Sequence, residues 1–434
     1  MNRTVLKLAV PSIFANITVP LVGMVDLAIA GRLGDASLIG GVAVATMLFD
    51  LLYWNMGFLR IGTGGLVAQA YGRRDFNDAM RVFTQGIATS LSIVVIIWAI
   101  QYLYIELAFS FIECSPQVEA LSRDYYFIRI WAAPATLSLF VFKGFFIGMQ
   151  NAISPMIVDI TVNVVNLVAS VFFALYAGMG FSGIAAGTVL AQYIGLILAI
   201  ILMYIYYRKL FKYICIKTSV KLKYIRNFFM INIDLFIRSF CFLFVYAGFT
   251  SLAAKYGDTL LAVSTIMMKL MLLYSYFIDG FAYAGEALTG KYVGARDITS
   301  LKKAVKVIFI WCIAIGIVST FMYYIAGEPL CRLLTNNEDV IREAHQFLPW
   351  LLAMPIISCI AFTWDGIFIG ATASKTIRNS MIFAVIGFFA SYYLLEYYLG
   401  IQALWVGFMV HLLIRTIYLS ITAKRNVFIK AGEL

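Results

Sequence analysis

The chain has 434 residues, of which 62% are hydrophobic and only 13% charged, with a formal net charge of +11. So little polar surface excludes a soluble globular protein and places the chain in a membrane. The positive charge lies in alternate short loops, which excludes nucleic-acid binding as its meaning.

Apolar runs of about 20 residues, the length that crosses a bilayer, recur from end to end. They predict twelve transmembrane helices, at 8–30, 41–69, 83–107, 125–149, 154–177, 183–207, 230–254, 260–286, 305–327, 346–370, 379–398 and 401–423. The runs are too long and continuous for barrel strands. Helices satisfy their own backbone groups in lipid, so the predicted class is an all-α integral membrane protein.

The first span follows Arg3 and Lys7, and its "AIA" at Ala28 to Ala30 mimics a signal-peptidase site. A signal core avoids Pro11, Asn16, Pro20 and Asp26, so the span is expected to be a retained helix. Pro20 lacks an amide and crowds the carbonyl of Asn16, which predicts a hinge near 16–20. Asp26, six residues on, falls in the outer half of the membrane. Removal from water disfavours a charged carboxylate there. The acid is therefore a candidate for carrying a coupling proton or cation, against the plainer role of tying helices together.

The second span runs into "NMGFLRIGTGGLVAQAYGRRD", Asn55 to Asp75. The fourth carries Lys143, which is expected either to sit beside Asp26 or Asp159, or to snorkel to the cytoplasmic end. The fifth supplies Asn163 and Asn166 in "DITVNVVN", and the sixth Thr188 in "GIAAGT". Amide and hydroxyl groups both donate and accept, so they suit a carboxyl in either protonation state or serve as helix–helix glue.

A basic stretch, Tyr206 to Asn227, separates the halves. In the second half, Asp234 and Arg238 are four apart and predicted to pair on one helix face. Asp279 and Glu286, in "FIDGFAYAGEALTGKYVGARD", share a face and are expected to pair with basic groups or line a cavity. Asp365 occupies the repeat position of Lys143, and Arg415 is expected to snorkel or cap a carbonyl. Tyr53, Trp54, Tyr274, Tyr276 and Tyr283 offer ring faces to flat cations, or ordinary packing.

The two halves repeat. A shift of 223 places Gly34-Asp35 on Gly257-Asp258, Gly57 on Gly280 and Gly62 on Gly285. A shift of 222 places Gly72 on Gly294, Arg74-Asp75 on Arg296-Asp297 and "KGFFIG" on "DGIFIG". Six spans per copy is even, so the copies enter the membrane alike, as two parallel six-helix bundles with pseudo-two-fold symmetry. The expected division is 1–207, a basic cytoplasmic linker at 208–228, and 229–434. Rocking one bundle against the other would expose a central cleft to each side in turn. Basic loops assign both termini to the cytoplasm. Six scattered cysteines and two isolated histidines predict no metal site, though Cys114 and Cys331 both lie near the outer side. No histidine cluster, nucleophile motif or phosphate loop predicts an enzyme, so no catalytic residue is assigned. No extramembrane domain predicts a receptor.

The stretches "VDLAIAGRLGD", "KGFFIGMQNAISP", "NVVN", "FIDGFAYAGEALTGKYVGARD" and "WDGIFIGAT" resemble the MATE-type multidrug and toxin extrusion transporters, in their DinF-like branch. The resemblance implies export of amphipathic, often cationic organic compounds in exchange for protons or sodium ions. It implies that Asp26 is the central coupling acid, joined by Asn166 and Thr188. It also implies an acid four residues beyond Asn166, where this chain has Ser170. That departure weakens a sodium site and favours proton coupling. The expectation is therefore a proton-coupled efflux antiporter of the cytoplasmic (inner) membrane. It would work as a monomer among lipids on small organic substrates, without nucleic acid and with no cofactor beyond the coupling ion. The alternative is a flippase for lipid-linked precursors.

Overall fold

The computed structural model describes residues 1–32, 36–112, 114–214, 222–335 and 337–433. The side chains of 19–25, 27, 31–32, 36, 222–225, 227, 333, 430 and 433 lie outside that description. So does the predicted match of Gly34-Asp35 to the second half, and so do Lys217, Lys221 and Lys223, three of the seven basic side chains in the predicted linker.

The first helix, α1 (Asn2–Arg32), stays helical through Pro11 and Pro20. Eleven further helices among the described residues are long and apolar enough to cross a membrane. They are α2 (Ser37–Arg73), α3 (Phe76–Phe109), α4 (Pro116–Gly148), α5 (Ile153–Tyr176) and α6 (Phe181–Tyr213). Then come α7 (Phe228–Ala254), α8 (Asp258–Gly294), α9 (Ile298–Arg332), α10 (Glu338–Gly370), α11 (Ser374–Leu399) and α12 (Gln402–Ile429). With α1 these match the twelve predicted spans in order. Several reach well past the predicted bounds, because helix continues beyond the hydrocarbon into polar ends that hydropathy does not register.

The backbone repeats itself as the sequence does. Arg74 and Arg296, 222 positions apart, both have φ of 58°. Gln150 and Thr372, also 222 apart, take φ of 63° and 50°. Gly180 and Gly400 both take 54°. Asp75 and Asp297 cap α3 and α9 alike, accepting from the amides of Asp78 and Ser300. Four non-glycine residues in the left-handed region, at two paired sites, mark turns that both copies kept despite their cost.

Packing divides the chain into two compact units. One comprises Met1–Ile13, Gly72–Arg74 and Met230–Leu434, and the other Phe14–Tyr71 and Asp75–Phe229. In the second of these, Gly144 and Gly148 of α4 bring its backbone onto α2. A Cβ on Gly148 would stand 2.8 Å from the Gly64 carbonyl oxygen, and one on Gly144 would collide with that of Arg60. In the other unit, Gly366 and Gly370 of α10 do the same against α8, at Ala282, Glu286 and Gly290. Glycines four apart lie on one helix face, and without side chains they let backbones touch. That is the structural content of "KGFFIG" and "DGIFIG". Aromatic and aliphatic side chains, among them Phe142, Phe145, Phe146 and Met80, fill the space around the α4 contact.

Candidate functional site

Asp26 is 3% exposed. One carboxylate oxygen accepts from the Tyr125 hydroxyl at 3.3 Å, and the other has no partner among the described residues. Tyr125, on α4, is fully buried, and Thr188 lies beside its hydroxyl. The Thr188 hydroxyl accepts from Asn166 Nδ2 at 2.9 Å and donates to the Ile184 carbonyl at 3.2 Å. Thus α1, α4, α5 and α6 bring Asp26, Tyr125, Thr188 and Asn166 into one buried polar chain. Asn166 Oδ1 and Asn163 Nδ2 are buried without a partner among the described residues. A carboxyl at the end of such a chain gains acceptors when protonated and donors when ionised.

Of the predicted coupling residues, Asp26, Asn166 and Thr188 thus come together. Asn163 is partly buried one turn before Asn166. The Pro20 side chain lies outside the described residues. Tyr125 escaped sequence reasoning because nothing separates it from the chain's other tyrosines.

Arg129, one turn beyond Tyr125, is the nearby cation. Its guanidinium lies 4.7 Å from the Phe49 ring centroid and 5.8 Å from that of Tyr125. It is in electrostatic reach of Asp26, Asp50 and Tyr53. Its signal in the sequence was a charge inside an apolar run.

Ser170 shows what fills the place where the resemblance implies an acid. It is fully buried, and its hydroxyl donates to the Ile184 carbonyl at 3.2 Å. A Cβ on Gly187 would lie 2.7 Å from Ser170 Cα, so α5 and α6 touch backbone to backbone there. Among the described residues, no three of His, Cys, Asp and Glu are grouped so as to hold a metal ion.

The other predicted polar residues fall elsewhere. Lys143 pairs with Asp159, and not with Asp26. Asp365 accepts from Arg238 at 2.8 Å and also from Arg415. Arg415 is 1% exposed, so it neither snorkels nor reaches solvent. Asp234 and Arg238 do not pair on their shared helix. Asp234 instead takes Arg378 at 2.6 Å and the Ser374 hydroxyl at 2.8 Å. The i, i+4 spacing permitted a local pair, but partners on α10, α11 and α12 reach deeper into the core and give buried charges better neutralisation. Asp279 is in electrostatic reach of Arg415. Glu286 is buried on α8, where Gly370 packs on its backbone. Tyr274 donates to the Pro355 carbonyl at 2.8 Å, which commits its hydroxyl to structure. Cys114 and Cys331 are free thiols.

The chain as a whole is similar to known proteins. The chain is 33% identical to DNA damage-inducible protein F of Escherichia coli (strain K12), over 98% of this chain and 92% of that protein. It is 23% identical to multidrug and toxin extrusion protein 1 of Danio rerio, over 99% of this chain and 73% of that one. A crystal structure described as MATE in the bent conformation superposes with a TM-score of 0.89, at 17% identity, over 98% of this chain and 95% of the other. A family model described as MatE matches residues 11–172 and 235–420. The polar chain at Asp26, the doubled helical framework and these likenesses lead to one assignment: the protein belongs to the MatE family of membrane transporters and is not an enzyme.

Proposed function

We propose that the protein is a secondary active efflux antiporter of the cytoplasmic membrane, exchanging amphipathic, often cationic organic compounds for protons, with Asp26 as the coupling acid. The observation that carries this reading is the Asp26 carboxyl itself: buried, half partnered by Tyr125, and joined through that tyrosine to Thr188 and Asn166. An aspartate that serves as a structural tie in this chain has an arginine partner, as Asp234 has in Arg378 and Asp365 in Arg238 and Arg415, whereas Asp26 has no such ion pair among the described residues. Serine in place of a second acid at position 170 supports the proton over sodium, since sodium needs several oxygen ligands and negative charge.

Cargo and proton compete for Asp26. The ionised carboxylate attracts a cationic or donor-bearing compound. Protonation from outside removes that attraction and releases it, and loss of the proton to the cytoplasm restores the site. Bending of α1 near Pro20 is the proposed motion that changes access. Basic loops support placing both termini in the cytoplasm. One charge crossing 100 mV supplies about 2.3 kcal/mol. A tenfold proton gradient adds about 1.4 kcal/mol. Together they sustain a gradient of several hundredfold for a neutral cargo, whereas exchange of one proton for a singly charged cation moves no net charge and draws on the pH gradient alone, about tenfold.

The test is exchange in proteoliposomes under an imposed pH gradient. Asp26→Asn should remain folded, by an unchanged thermal midpoint in detergent, and lose gradient-driven efflux. Undiminished efflux by the variant defeats the proposal. Efflux that follows a sodium gradient with no pH gradient present transfers the coupling to sodium.

A further inference from the structure

Arg129 differs from the other buried or half-buried arginines. Arg238, Arg378 and Arg415 each hold a carboxylate. Among the described residues Arg129 has no ion pair and no hydrogen bond. Its neighbours are ring faces and more distant charges: Phe49 at 4.7 Å, Tyr125 at 5.8 Å, and Asp26, Asp50, Tyr53 and Tyr125 electrostatically. The Phe49 ring is 1% exposed and stacks on Tyr53 and Tyr126 at 5.5 and 5.0 Å between centroids. Two carboxylates and a set of ring faces are what an organic cation would seek. Here the chain's own guanidinium already stands on the face.

We propose that Arg129 determines specificity as a tethered cation: it occupies the aromatic face beside Asp26, so that an organic cation binds only by displacing it. This rests on the reading of the Asp26 site as the place where cargo binds. With Asp26 and Asp50 ionised, an incoming singly charged aromatic cation takes over the charge that Arg129 withdraws, so the exchange leaves the charge of the site as it was. Arg129 thus acts as a built-in competitor of aromatic cations. It keeps the site from holding that cargo too tightly to release. Because the guanidinium is tethered and makes no hydrogen bond among the described residues, its displacement costs only ring contacts and longer-range attraction to Asp26 and Asp50, which the incoming cation replaces.

The experiment is equilibrium binding of ethidium, a flat aromatic cation of fixed charge, to the purified full chain at alkaline pH, read by fluorescence anisotropy. Removing a positive charge within about 6 Å of a bound cation should tighten binding by about tenfold or more. Arg129→Gln is expected to do so, and Arg129→Lys, which keeps the charge, to stay within about threefold of the unaltered protein. A neutral aromatic probe, N-phenylnaphthylamine, should bind both equally. Should Arg129→Gln not fold, Arg129→Met, neutral and of similar length, takes its place. Equal or weaker ethidium binding by the neutral variant, or no binding by either protein, overturns the proposal. The Asp26→Asn efflux assay separates the two ideas. Efflux that survives in that variant refutes proton coupling while leaving the competition measured. Unchanged ethidium affinity with efflux lost in Asp26→Asn refutes only the tethered cation.

Discussion

Asp365 holds two guanidinium groups at once, Arg238 at 2.8 Å and Arg415 beside it, in a core where both Asp365 and Arg415 are nearly sealed from the outside. Removing one partner of a buried pair leaves the rest uncompensated, which costs about 3–5 kcal/mol. Asp365→Asn should therefore lower the thermal midpoint in detergent sharply, far more than Asp26→Asn. Measuring both variants side by side distinguishes a carboxylate that holds structure from one free to titrate. The sequence made both acids visible for the same reason, a charge in an apolar run, and could not tell them apart. What separates them is the company each keeps: Asp26 meets a tyrosine hydroxyl, while Asp365 meets residues 127 and 50 positions away. Spacing along one helix predicted an Asp234–Arg238 pair, and tertiary contacts gave each residue a different partner. Local spacing tells which groups are able to meet, and burial decides which do.

The helices themselves were legible in the run of hydropathy. Their contacts were legible only as motifs without a meaning. "KGFFIG" and "DGIFIG" turn out to be the places where α4 lies on α2 and α10 on α8, backbone to backbone. Gly144→Ala and Gly366→Ala place a methyl group on a carbonyl oxygen of the facing helix, and each should cost about 1–3 kcal/mol. Thermal unfolding of the two variants tests this, and midpoints equal to that of the unaltered protein would contradict it. Within α10, Pro355 cannot donate to the turn before it. Hydroxyls from neighbouring helices bond to carbonyls close to it, Tyr274 to that of Pro355 at 2.8 Å and Thr320 to that of Leu352 at 3.0 Å. Tyr274→Phe removes one of these and should destabilise by about 1 kcal/mol, up to about 3 if no water replaces it.

At the scale of the whole chain, the internal repeat was read from glycines and an Arg-Asp pair. The backbone carries it further, in left-handed residues at Arg74 and Arg296 and at Gln150 and Thr372 that no composition signal marks. The orientation of the chain is open to direct measurement. In a variant lacking the six native cysteines, a cysteine at Met179 should react with an impermeant thiol reagent on intact cells. One at Arg74 should react only after permeabilisation. The reverse pattern would invert the topology and place Asp26 near the cytoplasm.

The abutment of Ser170 on Gly187 has a bearing on how this protein can change over generations. Gly187 is already the smallest residue available, so nothing on α6 remains to be trimmed. Ser170 is fully buried and its main chain already touches Gly187, so an aspartate or glutamate there would bring atoms for which α6 leaves no room. The gain of an acid at this position is therefore blocked by a steric ratchet, whichever ion the protein uses. A descendant that acquired one would first have to pry two helices apart.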